Sequence, residues 1–390
     1  MGQRDISETI PGLGNNCLIE EGSPHAPEHV MTVFVIESPF QVMNAIEAVH
    51  HFKFKDNVLI VLLSGLFSKE SYERIIDKKQ WKEVRYIPFR YKLTNSDFGL
   101  HPPKNVYERM QELYLTLDRS VKKKVINNMC RSLGRVDNLV LGSYRRYYDI
   151  HMRHIANNVD HNRLFLIDVG TDTLEIGRQR IEEHNAGSGV LGDEPAKSLK
   201  SMLRDKLVEW DGTGVDSLTF FTSYDFEVSD PDRVIKNDYR YFKSLADRAA
   251  VSDCVWFIAQ PLVEQEYLTH EVYVRYLAKV KQYFSGRPVF YIPHPRESGR
   301  YIDLARDEFG FETKRFDVPV EYAVTVGGSR PQCIASFFSS ALENFAVIFG
   351  NRIDIKAFYL HVSDLLKNHE SVDEVYSLYV SKGMDIEVVS

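Results

Sequence analysis

The sequence predicts an α/β protein built from two domains with parallel sheets. Short apolar, β-branched runs alternate with helical segments, which is the order expected when helices cover both faces of a parallel sheet. The chain has 390 residues, more than one hydrophobic core usually serves. Two such series occur, at about 32–240 and 250–390, and no sequence repeat relates them. We therefore expect two Rossmann-like domains that face each other across a cleft.

The first series follows a segment in which Pro and Gly interrupt any period, so residues 1–30 are predicted to form a flexible tail. The run TVFVI at 32–36 predicts a strand, and Ser38 with Pro39 favours a helix start directly after it. The run NVLIVLL at 57–63 predicts the next strand, again with a helix start behind it.

The remainder of the first domain continues the same alternation. Strands are predicted at 84–88, 138–142 and 163–168, and helices at 106–133, 147–157 and 171–180. The segment GSGVLGDEP at 187–195 indicates an exposed loop, and loop or linker is expected up to about Tyr239. The first domain is thus predicted to span 31–245.

The second domain is predicted to span 250–390. It opens with the apolar run CVWFIAQPL, which begins at Cys254, and continues with VFYI at 289–292. Further strands are predicted at 311–316 and 322–326, and helices at 266–284 and 299–308.

Composition narrows the class of protein. The formal net charge of −7 argues against a nucleic-acid binder, because phosphate neutralisation needs a dominant basic surface. No apolar stretch is as long as a membrane span, and residues 1–30 lack the basic and apolar regions of a secretory signal. We expect a soluble, cytoplasmic protein, and peripheral association with the inner membrane is compatible with that expectation. Four widely spaced cysteines without a C-x-x-C pair predict free, buried thiols: Cys17, Cys130, Cys254 and Cys333.

Two polar segments directly follow predicted strands, where ligands bind in open α/β sheets. Asp168 ends one strand and precedes Gly170; it is a candidate base, and the alternative is a cap of the following helix. His294 lies between two prolines that restrict its backbone, which suits a side chain held in one direction for proton transfer near neutral pH. The alternative is a turn histidine beside a surface ion pair of Arg296 and Glu297.

Two further candidates follow in the second domain. Ser339 and Ser340 stand at a predicted helix N-terminus, where backbone N–H groups and the helix dipole favour a phosphate. A plain N-cap is the alternative. Glu321 follows a proline turn, and a carboxylate there could accept two ribose hydroxyls. For Glu321 the alternative is an ordinary surface acid.

Taken in order, these segments resemble the motifs of bacterial sialyltransferases of the GT-B type, which include lipooligosaccharide sialyltransferases and capsule polysialyltransferases. The matching segments are Asp168-Val169-Gly170, His294-Pro295, Ser339-Ser340, Glu37-Ser38-Pro39-Phe40-Gln41 and Ala259-Gln260-Pro261-Leu262. The chain departs from the family at one point, since Val169 stands where the family has a second acid.

The resemblance implies a GT-B fold and roles for these residues. Asp168 becomes the catalytic base for the acceptor hydroxyl and His294 the group that assists the leaving phosphate. The CMP site is expected to include Gln260, Pro295, Glu321, Ser339 and Ser340, and the cleft to include Ser38, Gln41 and Gly170. The expected reaction is a single displacement with inversion, in which sialic acid moves from CMP-sialic acid to an acceptor glycan without a metal ion or cofactor.

Alternatives remain open from the sequence. A polysialyltransferase would require a long basic groove, and the negative net charge with only a short lysine run at 122–124 favours single transfer. A GT-B enzyme that uses another CMP-sugar, such as CMP-Kdo, would share the phosphate and ribose contacts. A catalytically silent nucleotide-sugar binding protein is supported only by Val169.

Overall fold

The computed structural model describes residues 30–89, 106–146, 148–185 and 209–388. Two sheets of parallel strands organise these residues. The first sheet has seven strands in the order β3-β2-β1-β4-β5-β6-β7. Their bounds are β1 (Thr32–Ile36), β2 (Asn57–Leu63), β3 (Glu83–Pro88), β4 (Val136–Leu141), β5 (His161–Ile167), β6 (Thr219–Thr222) and β7 (Arg233–Lys236).

The second sheet repeats this arrangement with six strands in the order β10-β9-β8-β11-β12-β13. Their bounds are β8 (Ala250–Ile258), β9 (Val289–Ile292), β10 (Glu312–Thr313), β11 (Ser329–Ser336), β12 (Asp354–Phe358) and β13 (Asp385–Glu387). In each sheet the strand order reverses once, between β1 and β4 and between β8 and β11. Loops at the carboxyl ends on either side of such a reversal enclose the usual ligand crevice of doubly wound sheets.

The helices of the first sheet cover its faces at Pro39–Phe52, Lys69–Glu73, Val106–Leu133, Ile150–Asn158 and Asp172–Asn185. A linking helix at Arg240–Ala246 precedes the second sheet, whose helices are His270–Tyr283, Gly299–Asp307, Val320–Val326, Ser340–Phe349 and His369–Ser381. Within the described residues, no helix combines the length and the apolar character needed to cross a membrane.

Much of the predicted alternation is confirmed. The strands at 32–36, 57–63 and 289–292 and the helix at 106–133 have the predicted bounds, and the other predicted strands up to Ile167 begin or end within two residues of the observed ones. Ser38 and Ser68 cap the helices that follow them. The predicted tail at 1–30, apart from Val30, and the predicted loop at 187–195 lie outside the described residues.

Three predictions were wrong. The stretch expected to be linker up to Tyr239 contains β6 and β7, which extend the first sheet. The strand predicted at 311–316 is reduced to β10. The segment predicted as a strand at 322–326 belongs to a helix, in which Glu321, Val324 and Thr325 are buried on one face. Helical spacing of the buried side chains decides the structure there, although β-branched residues favour a strand.

The linking helix joins the two halves of the molecule. Its first turn donates two backbone N–H groups to the Glu47 carboxylate, from Tyr241 at 3.0 Å and from Phe242 at 3.2 Å. Glu47 is 1% exposed and lies on the helix Pro39–Phe52. The ring of Phe242 packs edge-on against Tyr322 of the second half, with 6.1 Å between centroids. The apolar core therefore continues from the first sheet into the second.

Candidate active site

The carboxyl ends of the two sheets meet at the loop that follows β5. Gly170 in this loop has a φ of +81°, a backbone conformation that glycine adopts without strain. A Cβ atom placed on Gly170 would lie 3.5 Å from Oγ of Ser340, which begins a helix of the second half. The segments predicted to carry the base and the phosphate site are therefore neighbours across the seam between the sheets.

Asp168 is held at this seam by groups of the first domain. Its Oδ2 accepts the backbone N–H of Ser223, which follows β6, at 2.8 Å, and its Oδ1 accepts the hydroxyl of Thr173 at 3.4 Å. Asn44 donates to its backbone carbonyl at 3.1 Å. The backbone bond to the carboxylate comes from Ser223 and not from the helix that follows, so the helix-cap interpretation of Asp168 is wrong.

Burial controls the acidity of Asp168. The residue is 1% exposed, and this burial raises the pKa of its carboxyl to about 6, while hydrogen bonds from the Thr222, Ser223 and Thr173 groups act in the opposite direction. All of these donors are neutral. At neutral pH the carboxylate is thus ionised yet more basic than an exposed aspartate, which suits a general base.

The other nearby acids carry charged or histidine partners. Glu37 contacts His151 Nε2 at 2.8 Å, and Asp172 accepts from Arg145 at 2.8 Å. Glu175 accepts from Arg178 at 2.9 Å. Burial raises the pKa of Asp172, and the Arg145 charge acts in the opposite direction. Among the described residues, Asp168 differs from these three acids in that its carboxylate accepts only from neutral donors.

His294 lies in the loop after β9 and is half-buried. Its Nδ1 accepts the backbone N–H of Arg296 at 3.1 Å, so the neutral ring carries its proton on Nε2. Burial, followed by the nearby Arg296 charge, lowers the pKa of His294 to about 4. At neutral pH, Nε2–H is thus a neutral hydrogen-bond donor.

Glu297 does not form the surface ion pair that the alternative interpretation required. Its carboxylate turns inward and accepts from the hydroxyls of Tyr291 and Tyr273 and from the backbone N–H of His294. Pro295, between His294 and Arg296, is exposed.

The paired serines begin the helix Ser340–Phe349, as predicted. Ser339 is the N-cap, and its Oγ accepts the N–H of Ala341 at 3.3 Å. Both serines are half-buried. Gln260 supports the preceding segment, because its Oε1 accepts the N–H of Phe338 at 3.0 Å. Gln260 and the serine pair follow β8 and β11, the two strands at the reversal of the second sheet.

Glu321 is 6% exposed, so the interpretation as an ordinary surface acid is wrong. Asn344 donates to its Oε1 at 2.9 Å, and burial raises the pKa of the carboxyl. Asn344 lies one turn into the helix that Ser340 begins. The predicted contact of Glu321 with a ribose remains a prediction.

Ser38 and Gln41 form hydrogen bonds at the carboxyl ends of β1 and β4, where the strand order of the first sheet reverses. Ser38 caps the helix after β1, and its Oγ accepts the N–H of Gln41 at 3.3 Å. The Gln41 side chain bridges β1 and β4: its Oε1 accepts the N–H of Glu37 at 2.7 Å and its Nε2 donates to the carbonyl of Gly142 at 2.8 Å. A Cβ on Gly142 would lie 2.3 Å from Gln41 Oε1, so this bridge requires glycine.

Among the residues with described positions, no group of three or more His, Cys, Asp or Glu side chains is arranged to hold a metal ion. Cys130, Cys254 and Cys333 are free and buried, as predicted for them, and Cys17 lies outside the described residues.

The family model for alpha-2,8-polysialyltransferases matches residues 32–357. The chain belongs to this family. The match includes the Asp168, His294 and Ser339-Ser340 segments, and it confirms the resemblance to bacterial sialyltransferases. The protein is therefore a glycosyltransferase, and membership in the polysialyltransferase family supports sialyl transfer as its reaction. By sequence, none of the curated proteins matches the chain significantly.

Solved structures similar to this polysialyltransferase family member include three bacterial proteins. An alpha/beta-galactoside alpha-2,3-sialyltransferase from Photobacterium phosphoreum has a TM-score of 0.47 and 11% identity, covering 91% of this chain and 98% of its own. A UDP-GlcNAc 2-epimerase from Neisseria meningitidis has a TM-score of 0.44 and 10% identity, covering 92% and 94%. A family 9 glycosyl transferase from Veillonella parvula has a TM-score of 0.36 and 8% identity, covering 92% and 90%.

Sequence reasoning missed several residues that surround Asp168 in this candidate site. Ser223 was assigned to linker, because the strand TFFT before it is too short to stand out. Asn44 and Tyr239 were missed because their bond, from the Tyr239 hydroxyl to Asn44 Oδ1 at 2.8 Å, joins residues 195 positions apart. Thr173 could have been found, since a threonine in the first turn of a helix after a strand-terminal acid can reach back to it.

Proposed function

We propose that the protein is an inverting sialyltransferase that uses CMP-sialic acid as donor and needs no metal ion. The observation that carries the proposal is the contact between the Asp168 loop and the helix N-terminus at Ser340. The loop that carries Asp168 thereby lies beside the N-terminus of a helix of the other domain, where a phosphate would be favoured. Transfer of a sugar from a phosphate to a hydroxyl requires these two elements on either side of the sugar.

The proposed reaction is a single displacement. The acceptor hydroxyl oxygen forms a bond to C2 of the sialic acid while the bond from C2 to the phosphate oxygen of CMP breaks. The hydroxyl proton goes to Asp168, and the bonding electron pair leaves with CMP. Because the nucleophile enters opposite the leaving group, the configuration at C2 inverts.

Stabilisation of the departing phosphate is assigned to the second domain. The helix N-terminus provides backbone N–H groups, and the Ser339 and Ser340 hydroxyls add two donors. His294 provides Nε2–H, and the negative phosphate would raise the pKa of its imidazole and so favour proton donation. Together these donors would neutralise the developing charge without a divalent cation.

Repeated alpha-2,8 transfer is a second candidate, supported by the name of the family whose model matches. The same two catalytic groups would serve it, with the sialylated product as the next acceptor. The length of the product therefore separates single from repeated transfer.

A donor and acceptor screen tests the proposal. CMP-sialic acid and CMP-Kdo are offered with a set of glycans, with and without excess EDTA, and products are analysed by mass spectrometry and linkage analysis. We expect turnover with CMP-sialic acid that survives EDTA. Loss of turnover on chelation with recovery on adding magnesium or manganese would contradict metal independence, and turnover with CMP-Kdo alone would contradict the donor.

A further inference from the structure

The loop that carries His294 is anchored by a buried acid that the motif itself does not include. Glu297 receives three hydrogen-bond donors on two carboxylate oxygens. Tyr291 and Tyr273 donate their hydroxyls to Oε1, the latter at 3.3 Å, and the backbone N–H of His294 reaches Oε2 at 3.2 Å. The Glu297 N–H in turn donates to the His294 carbonyl at 2.9 Å, which closes the turn.

The anchor is rigid on the side of the protein core. Tyr291 lies in β9 and is 0% exposed, and Tyr273 of the helix His270–Tyr283 is 1% exposed. Their hydroxyls lie 2.7 Å apart. The ring of Tyr273 also packs edge-on against Tyr301, with 5.2 Å between centroids. Glu297 thus connects the packed interior of the second domain to the backbone of His294.

We propose that Glu297 is a positioning residue for the transfer reaction: its ionised carboxylate fixes the His294 turn, so that Nε2–H is held ready for the departing phosphate. This inference rests on the proposed function of His294. An amide would replace the carboxylate only in part, because its oxygen could still accept the His294 N–H but its NH₂ group would reverse the hydrogen bonds with the tyrosine hydroxyls. The negative charge on the acceptor of the His294 N–H would also be lost, and charged hydrogen bonds are the stronger ones.

The acidity of Glu297 provides a test, because a positioning role predicts a change in the pH profile of transfer that a merely structural role does not. Burial raises the pKa of Glu297 to about 7, and the nearby Glu264 acts in the same direction, while the bonds from Tyr291, the His294 backbone and Tyr273 act against them. Glu264 comes from the segment after β8 and accepts the N–H of Ser298 at 2.7 Å. The His294 ring and the Arg296 guanidinium are the other titratable or charged groups of the turn itself. Protonation of Glu297 would turn one acceptor oxygen into a donor and remove the negative charge that strengthens the bond from the His294 N–H, so the anchor weakens as pH falls through about 7.

The experiment measures transfer from CMP-sialic acid between pH 5 and 9 for the wild type, Glu297→Gln and Tyr273→Phe. In the wild type we expect kcat/KM to fall below about pH 7. In Glu297→Gln we expect kcat at least about tenfold lower, as for loss of a charged hydrogen-bond partner, with a smaller rise in KM for the donor, because His294 is also proposed to contact the phosphate. Its remaining activity should fall only near pH 6, where Asp168 protonates.

Tyr273→Phe keeps the carboxylate but removes one donor that stabilises its ionised form. Its acidic limb should therefore move to higher pH, and full activity should return in more alkaline buffer. Glu308→Gln, an exposed acid of the same domain, is the matched control and should behave like the wild type. Circular dichroism and thermal unfolding show whether each variant is folded.

The outcomes are distinguishable. A wild type without any transfer from CMP-sialic acid would overturn the proposed function itself. An active wild type with a Glu297→Gln variant of unchanged rate, or of reduced rate but unchanged acidic limb, would overturn only the positioning role.

Discussion

The candidate catalytic groups of the two domains, Asp168 and His294, differ in burial and in hydrogen bonding. Asp168 in the first domain is 1% exposed, and its carboxylate is bonded by groups of its own domain. His294 in the second domain is half-buried on an exposed turn, and among the described residues its hydrogen-bond partner is the N–H of Arg296, on Nδ1. The first domain therefore fixes the direction of the proposed base, while in the second domain the proposed ligand contact is left to Nε2.

Burial nevertheless acts on both groups in the same physical sense, because it disfavours the charged form of each. The pKa of Asp168 rises to about 6 and that of His294 falls to about 4. At neutral pH this leaves one negative carboxylate and one neutral imidazole. Under the proposed function, these charge states suit proton acceptance by Asp168 in the first domain and, once an anionic ligand is bound, proton donation by His294 in the second.

Removing each group separately gives the largest expected effects. Asp168→Asn should lose transfer by about 10²–10⁴-fold, as expected for a general base, while the affinity for CMP stays near that of the wild type. His294→Ala should lose transfer and also weaken CMP binding. Transfer assays combined with calorimetric titration of CMP measure both quantities.

Asp160→Asn is the matched control, because Asp160 is an exposed acid just before the amino end of the same strand, β5. A full-rate Asp168→Asn enzyme would refute the base assignment and move attention to Glu37, Asp172 or Glu175. Loss of CMP binding in Asp168→Asn would contradict the division of roles between the domains.

The proposed phosphate donors, Ser339 and Ser340, give the next effect. Replacing both serines, with Ser339→Ala and Ser340→Ala, removes two hydroxyl donors to a charged ligand. Such bonds contribute about 1.5–3 kcal/mol each, so kcat/KM for CMP-sialic acid should fall at least about tenfold.

Ser68→Ala is the matched control for the lost helix cap. Ser68 Oγ accepts the N–H of Ser71 at 3.3 Å, the same length as the cap bond of Ser339, but it caps a helix of the first domain. It should lower stability by about 1 kcal/mol and leave the donor kinetics unchanged. Unchanged donor kinetics in the double serine variant would place the phosphate elsewhere.

Local sequence signals were sufficient for much of the fold. The run TVFVI with Ser38 and Pro39 behind it predicted both β1 and the start of its helix, since strand composition and capping chemistry agree there. They failed at 322–326, where β-branched composition and helical spacing conflict. They also failed at β6 and β7, which have four residues each and are stabilised by pairing with β5 and with one another rather than by their own pattern.

The site could be predicted only in part for a related reason. Asp168, His294 and the serine pair stand directly after strands or at a helix start, so their positions can be read from the chain. Their partners cannot, because Ser223, Asn44 and Tyr239 reach the Asp168 loop through tertiary packing over long sequence separations. The inward turn of Glu297 likewise depends on Tyr273, which lies 24 positions away.

The ion pair of Lys382 and Glu343 near the seam tests how strongly burial affects a charged group there. Glu343 is 0% exposed, and Lys382 contacts it at 3.1 Å while lying 5.1 Å above the ring of Tyr224 from the first domain. Lys382→Met should lower the free energy of unfolding by about 2–4 kcal/mol, because it leaves a buried carboxylate without its charge partner. Adding Glu343→Gln should recover much of this loss.

The exposed pair of Arg74 and Asp317 at 2.8 Å is the matched control. Solvent screens it, so Arg74→Met should change stability by less than about 1 kcal/mol. Urea unfolding followed by circular dichroism measures both variants. Equal effects for the two pairs would mean that burial at the seam does not set the energetics there.

The smallest expected effect concerns the stability of Asp168 itself. Its folded pKa of about 6 lies above its ordinary value of 3.8, so the folded state binds the proton more tightly than the unfolded state does. Ionisation of Asp168 therefore destabilises the fold: the cost is absent below about pH 4, grows as pH rises, and is complete above about pH 6.

Asp168→Asn should remove this cost and raise the free energy of unfolding by about 1–3 kcal/mol at pH 7, while the gain should vanish near pH 4. The amide can still accept the Ser223 N–H through its oxygen and donate to Thr173, so little bonding is lost. Chemical unfolding at several pH values measures this difference. A variant that is less stable than the wild type at pH 7 would mean that the carboxylate is stabilised in the folded protein and would contradict the proposal that Asp168 is unusually basic.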